Sequence, residues 1–108
     1  MDDQKTKEEA LYLMKELERS PAITQRNLSS RLGVSLGKTN YLLKELAKKG
    51  FVEARLFSCN SDKIKKVKYT LTKKGLEEKV KLVHLFLERK KREYETFKKE
   101  SEDLVEIK

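Results

Sequence analysis

Residues 24–50 read TQRNLSSRLGVSLGKTNYLLKELAKKG, a pattern that predicts two helices joined by a tight turn at Gly33. Ser35 can cap the second helix, because its hydroxyl can accept a hydrogen bond from a backbone amide that has no other partner. Gly50 ends that helix, since glycine adopts the left-handed conformation at no steric cost. A short helix, a tight turn and a second helix form the helix-turn-helix arrangement.

The second of these helices has two different faces. Its apolar face consists of Thr39, Leu42, Leu43 and Leu46. The opposite side and its flanks carry Lys38, Asn40, Tyr41, Lys44 and Lys48. A basic face rich in hydrogen-bonding groups is typical of a recognition helix that enters the DNA major groove. Asn40 suits adenine, Lys38 suits guanine or a phosphate, and Tyr41 can reach the nucleic acid or pack against its own helix.

The net charge of +8 is concentrated in the middle of the 108-residue chain. Residues 26–68 carry eleven basic and three acidic side chains, whereas residues 1–25 sum to −2 and residues 69–108 to +2. A segment of one charge sign around a recognition helix is typical of a surface that binds a polyanion. The alternative is a lysine-rich face that is simply solvated.

Composition and length favour one domain with an appendage, built from long amphipathic helices. Charged residues make up 41% of the chain and hydrophobic ones 37%, so the core is small. No apolar run is long enough for a transmembrane helix. The acidic start lacks the hydrophobic segment of a secretory signal, and the single cysteine cannot form an internal disulfide. We therefore expect a cytoplasmic protein that has no membrane partner.

The flanking segments complete a winged arrangement. Residues 5–20 have the spacing of a first helix that ends before Pro21, and residues 21–23 can pair with a later strand. Residues 51–57 and 67–71 alternate as the strands of a β-hairpin. Its basic side chains are Arg55, Lys63, Lys65, Lys66 and Lys68. Lysines in such a wing suit phosphate contact better than base reading, because an ammonium is a point charge.

Thr72 can cap a last helix that carries a heptad stripe. The stripe consists of Val80, Val83, Leu87, Tyr94, Phe97 and Leu104, with Lys90 and Ser101 at two of its positions. A second apolar face at the start of the helix is expected to dock on the winged domain; it consists of Leu76, Leu82, Leu85 and Phe86. The narrow stripe beyond Leu87 needs a partner, and a second copy is the simplest one. The alternative is a helix that folds back on the first helix.

Neither catalysis nor metal binding finds support in the sequence. His84 is the only histidine, and a metal site would need further His or Cys donors. Cys59 lies at the predicted wing tip, where it is either a redox sensor or, as we favour, a passive surface thiol. No Gly-rich phosphate loop is present, and no nucleophile has a nearby base. We expect no enzyme activity, no catalytic residue, no metal and no cofactor.

Three stretches carry a resemblance to a known family. They are Thr24-Gln25-Arg26, LGVSLGKTNYLLKELAKKGFVE at 32–53 and YTLTKKGLEEKVKLVHLFLERKKREYE at 69–95. With these residues the chain resembles the MarR-type winged-helix regulators, and within them the exopolysaccharide-associated transcriptional regulators. The most specific parts are the turn at residues 35–38 and the Leu71-Thr72…Gly75 start of the last helix.

The resemblance implies a dimeric DNA-binding repressor or activator, associated in this subgroup with exopolysaccharide gene clusters. It implies a wing at residues 58–68 in the flanking groove, and a major-groove surface of Ser35, Lys38, Asn40 and Tyr41. Thr39 departs from the family, which usually has a β-branched aliphatic residue on this core face; as an isostere it should pack at modest cost. The chain is shorter than typical MarR proteins, which bind small aromatic effectors, so we do not expect an effector pocket.

The sequence thus predicts a mainly α fold with a small β-hairpin. Residues 1–72 form a winged helix-turn-helix domain, and residues 73–108 form a coiled-coil helix that dimerises through the stripe from Val80 to Leu104. The predicted partners are double-stranded DNA and a second copy of the chain. The predicted DNA contacts are Gln25, Arg26, Ser35, Lys38, Thr39, Asn40, Tyr41, Lys44, Arg55, Lys63, Lys65, Lys66 and Lys68. A winged-helix adaptor for proteins is the main alternative, and RNA binding ranks third, since the outer face of the hairpin carries lysines instead of aromatic residues.

Overall fold

The computed structural model describes residues 4–20, 22–58 and 65–107 of the chain. Four helices and three strands follow in the order α1 (Gln4–Arg19), β1 (Ile23–Thr24), α2 (Gln25–Leu32), α3 (Leu36–Lys48), β2 (Val52–Ser58), β3 (Lys65–Leu71) and α4 (Lys73–Ile107). The three strands form one antiparallel sheet in the order β1-β3-β2. The predicted mainly α fold with a hairpin is confirmed, and β1 adds a short third strand to it.

The core lies where α1, α2 and α3 meet the base of the sheet. Its buried side chains are Ala10, Leu13, Met14, Leu17, Ile23, Leu28, Leu42, Leu43, Leu46 and Val52. These positions recur every three or four residues in α1 and α3, so each helix presents one apolar stripe to the others. None of the charged side chains of α1 and α3 is buried.

The turns around α2 and α3 follow from three capping residues. Thr24 accepts a hydrogen bond from the Asn27 amide at 3.3 Å, which caps α2. Gly33 ends α2 in the left-handed region, with φ +65°, and its amide bonds to Ser29 and Ser30 carbonyls. Ser35 then caps α3 by accepting from the Lys38 amide at 3.1 Å. The predicted cap at Ser35 and the predicted turn at Gly33 are confirmed, and Thr24 acts as a further cap.

Only the base of the hairpin is covered by the core. Val52 is buried and faces Leu71 in the β2–β3 register, whereas Leu56, further along β2, is exposed. Ile23 of β1 pairs with Tyr69, as the sequence allowed for the segment after Pro21. The hairpin therefore leaves the core as a projecting wing.

Helix α4 begins tightly against the junction of α3 and β2. The hydroxyl of Thr72 donates to the Gly50 carbonyl at 2.6 Å and accepts from the Gly75 amide at 3.0 Å, so the predicted cap is confirmed. The Thr72 amide bonds to the Phe51 carbonyl at 3.0 Å. A Cβ atom on Gly75 would lie only 2.0 Å from that same carbonyl oxygen, so the close approach requires glycine.

The first half of α4 packs on α1, and the second half projects. Phe86 is buried, Leu82 packs against the core, and Lys79 forms an ion pair with Glu18 of α1. The prediction that all four early apolar residues dock was wrong for Leu76 and Leu85, which are exposed. With 35 residues, α4 extends the molecule to 72 × 25 × 22 Å. The alternative of a helix folded back on α1 thus holds only for its first part.

Gly75→Ala should lower the free energy of unfolding by about 2–3 kcal/mol, because the added methyl group must displace backbone. Gly37→Ala is the matched control, since a Cβ atom there meets nothing within 4 Å. Alanine in a helix should raise stability there by up to about 1 kcal/mol. Urea denaturation at one fixed protein concentration measures both, and equal midpoints for the two variants would contradict the packing described for α4.

Candidate nucleic-acid interface

Helix α3 presents a continuous outward face because its inner face is fixed in the core. Leu42, Leu43 and Leu46 are fully buried, which leaves the helix no freedom to rotate about its axis. On the outer side Tyr41 and Lys44 are exposed, and Asn40 is half-buried. Both ends of the face are open, since Gly37 and Lys48 are exposed as well.

Thr39 does not belong to this outer face. Its side chain is fully buried, and its hydroxyl donates to the Ser35 carbonyl at 2.9 Å. The prediction of Thr39 as a DNA contact was therefore wrong, because the residue lies on the apolar side that also carries Leu42 and Leu43. Burial of this hydroxyl costs little free energy, because the Ser35 carbonyl accepts its hydrogen bond.

Lys38 is held by two neighbours that the sequence did not reveal. Its Nζ lies 3.4 Å from Glu9 Oε1 of α1 and 5.7 Å from the centroid of the Tyr41 ring. That carboxylate oxygen is buried and accepts no hydrogen bond, so the lysine charge is its main compensation. Lys38 thus lies on the flank of α3 next to α1 and is not a free cation.

The start of α2 is tied to the start of α3. Gln25 is half-buried, and its Nε2 donates to the Leu36 carbonyl at 3.3 Å. Arg26, the next residue, is exposed. Both residues are predicted DNA contacts. Gln25 links α2 to α3 through its hydrogen bond, whereas Arg26 is open to solvent.

The wing begins directly at the C-terminal end of α3. The Phe51 amide bonds to the Leu46 carbonyl at 2.9 Å, so β2 leaves from the last turn of the helix. Arg55 is exposed, forms an ion pair with Glu53 at 3.4 Å and faces Lys68 across the ladder. Lys63 lies outside the described residues, as do the side chains of Lys65 and Lys66, whose backbone belongs to β3.

Charges around α3 divide into paired and open ones. Lys48 lies 3.5 Å from Glu45 on its own helix, and Lys38 and Arg55 have the acidic partners given above. Arg26, Lys44 and Lys49 are exposed and form no ion pair within the part of the chain that the structure describes. Arg26 and Lys44 form the open part of a surface that runs from the start of α2 along α3, whereas Lys49 follows α3 on the side of α1 and α4, where it lines a pocket with Lys7 and Glu78.

The described residues form neither a metal site nor a membrane-spanning helix. Within residues 4–20, 22–58 and 65–107, no group of three His, Cys, Asp or Glu side chains could hold a metal ion. His84 is exposed on α4, and Cys59 lies outside the described residues. None of the helices in the described ranges combines the length and the apolarity that crossing a bilayer requires.

Residues 13–53 match the sequence profile of the winged helix-turn-helix DNA-binding family. The fold is a winged helix-turn-helix. The second part of α1, all of α2 and α3, and the first residues of the wing fall inside the match, whereas the start of α1 and all of α4 lie outside it. No curated protein matches the chain in sequence.

Solved structures of MarR-like regulators have the same fold. The repressor of multiple antibiotic resistance, MarR, is 25% identical with a TM-score of 0.63, over 78% of this chain and 59% of that one. A mutant MepR from a multidrug resistant clinical isolate of S. aureus is 16% identical with a TM-score of 0.63, over 82% and 62%. A protein of Thermoplasma acidophilum described as a transcriptional regulator is 22% identical with a TM-score of 0.66, over 79% and 86%. The chain thus spans about three fifths of the length of MarR and MepR.

Ser35→Ala should lower the free energy of unfolding by about 1 kcal/mol, because the first turn of α3 loses its side-chain acceptor. Ser30→Ala is the control, since Ser30 is an exposed residue inside α2 and caps no helix. We expect that control to leave stability unchanged or slightly raised. Thermal or urea unfolding checks both, and a Ser35 variant as stable as the control would argue against the cap.

Proposed function

We propose that this protein is a transcription regulator that binds double-stranded DNA in a sequence-specific manner. The proposal is carried by the outward face of α3, where Asn40, Tyr41 and Lys44 lie on a helix whose rotation is fixed by buried leucines. A rigid helix with such a face can place its side chains against base edges in the major groove. The match to a DNA-binding winged-helix profile supports it.

Different residues take different roles in this proposal. Asn40 reads a base, because an amide can donate and accept on one base edge. Lys44 and Arg26, together with the wing, contact phosphates and set the register of the protein on the duplex. Lys38 and Tyr41 contact the DNA as one unit, because the Tyr41 ring lies beneath the Lys38 ammonium group. Gln25 and Ser35 orient α3 through their backbone contacts.

We further propose that the active species is a homodimer that reads a pseudo-palindromic site. Residues 1–72 form the DNA-binding domain and residues 73–108 form the dimerisation helix. The apolar stripe that α4 exposes beyond Leu87 supports this division. On the sequence resemblance alone, exopolysaccharide genes are the first targets to test. Such a regulator works where the chromosome lies, in the cytoplasm.

Asn40→Ala should relax the base preference, with a loss of about 1–3 kcal/mol of discrimination at one position of the site. Arg55→Ala should weaken all sequences about equally, because a phosphate contact carries no sequence information. Selection of bound oligonucleotides, followed by titration of the best and of scrambled duplexes, separates the two effects. The same change in preference for both variants would refute the assignment of roles.

Glu9→Gln should tighten DNA binding by about two- to fivefold, because Lys38 loses the carboxylate that competes with the nucleic acid. Glu8→Gln changes the net charge by the same amount one residue away, and no ion pair of Glu8 is found among the described residues, so it is the matched control. Fluorescence anisotropy with one duplex at constant salt measures both. Equal effects of the two substitutions would mean that only net charge matters.

A winged-helix adaptor for another protein is the second candidate. It is favoured by the acidic partners of Lys38, Lys48 and Arg55, which reduce the open positive charge around α3. The adaptor predicts no shift of duplex DNA at physiological salt and a stable complex with a different protein. Sequence-selective binding to DNA by the purified chain alone would exclude it.

A further inference from the structure

Helix α4 carries an exposed apolar seam beyond the winged domain. Leu87, Tyr94, Phe97 and Leu104 are 62%, 65%, 67% and 66% exposed. Their spacing of seven, three and seven residues places them on one narrow line, the a and d positions of a heptad repeat. Lys90 and Ser101 occupy the two remaining positions of this line, which we call the seam.

The two edges of the seam carry opposite charges. Glu93 and Glu100 directly precede Tyr94 and Ser101 and form an acidic edge, at the g positions. Lys91 and Lys98 directly follow Lys90 and Phe97 and form a basic edge, at the e positions. In a coiled coil these edges flank the apolar contact and decide which partner and which orientation is favoured.

The two possible orientations of a second copy differ in these edge contacts. In a parallel, in-register pair the g edge faces the e edge of the partner, so Glu93 meets the partner's Lys98 on both sides. In an antiparallel pair like edges face each other. The register that packs Leu87 on the partner's Leu104 then brings Glu93 to the partner's Glu100 and Lys91 to the partner's Lys98.

We infer that the seam binds a second copy of this chain in parallel and in register. The inference rests on the homodimer of the proposed function and adds its orientation. The parallel pair has two attractive contacts, between Glu93 and Lys98 on either side, whereas the antiparallel pair has four contacts between like charges. The opposing factor is Lys90, which forms a like-charge layer in the parallel pair. Its ammonium can leave that layer, since it already lies 3.6 Å from Glu93 at the edge of its own helix.

The seam continues into the winged domain, which adds contact area. Between α1 and α4 lies an apolar groove to which Leu11, Tyr12, Val83 and Phe86 contribute, and Leu87 belongs to both groove and seam. Tyr12 is exposed at this groove. A seam of about two and a half heptads is short for a coiled coil on its own, so contact near the winged domains supports the pair.

Orientation decides how the two recognition helices are placed. A parallel pair holds both winged domains at the same end of the rod, so that they lie side by side. They can then reach neighbouring half-sites, about one helical turn apart on one face of the duplex. An antiparallel pair would hold the domains at opposite ends of the rod and would require a longer spacing.

Charge reversal of one edge tests the orientation without DNA. In the parallel pair, Glu93→Lys turns two attractive contacts into repulsive ones and should raise the dimer dissociation constant at least about tenfold. In the antiparallel pair the same substitution removes repulsion and would tighten the dimer. Glu95→Lys, on the outer face, is the matched control and should change the constant less than about twofold. Sedimentation equilibrium of the full chain at low salt gives all three constants.

A second measurement traps the orientation directly. In a Cys59→Ser background, Ser101→Cys should form a disulfide-linked dimer under mild oxidation, because position 101 meets its own copy only in the parallel pair. Glu95→Cys is the control and should remain monomeric on a non-reducing gel. A tighter dimer with Glu93→Lys, no crosslink at position 101 or a monomeric wild-type chain would overturn the inference. A monomer that still bound duplex DNA selectively would leave the proposed DNA reader intact.

Discussion

Burial of one face of α3 is the constraint on which the rest of the structure depends. Leu42, Leu43 and Leu46 have no contact with solvent, and the Thr39 hydroxyl is satisfied within the helix. Because these side chains meet α1 and α2 in a single packed core, the helix can neither rotate nor slide. The outer face, with Asn40 and its neighbours, is therefore presented in one orientation, as recognition of base edges requires.

The charge of Lys38 on α3 is already paired with an acidic side chain of the protein itself. Glu9 is placed by α1, and its carboxylate compensates a lysine that a duplex would also attract. An ion pair near the surface contributes only about 0–1 kcal/mol to stability, so DNA phosphates can take the place of the Glu9 carboxylate beside Lys38. In the proposed complex with DNA, this ion pair costs some affinity for any duplex, and it therefore favours sites where base contacts add to the phosphate contacts.

The sequence predicted the local structure well because short-range signals determine it. The caps at Thr24, Ser35 and Thr72 and the turn at Gly33 follow from side chains within a few residues of each backbone group. Contacts between distant segments could not be predicted: the Glu9–Lys38 pair joins α1 to α3, and packing on α1 covers only Phe86 and Leu82 of the second α4 face. Thr39 gives conflicting signals, because its hydroxyl suits a DNA contact whereas its position on the apolar stripe buries it; the position decides.

The dependence of DNA affinity on salt tests the central claim most directly. If about six to ten cationic side chains of the dimer contact phosphates, the logarithm of the association constant should fall against the logarithm of salt concentration with a slope of about −5 to −9. A selected duplex should in addition bind more tightly than a scrambled one at every salt concentration. A slope near zero, or equal binding of both duplexes throughout, would contradict the account of α3 as a reader of double-stranded DNA.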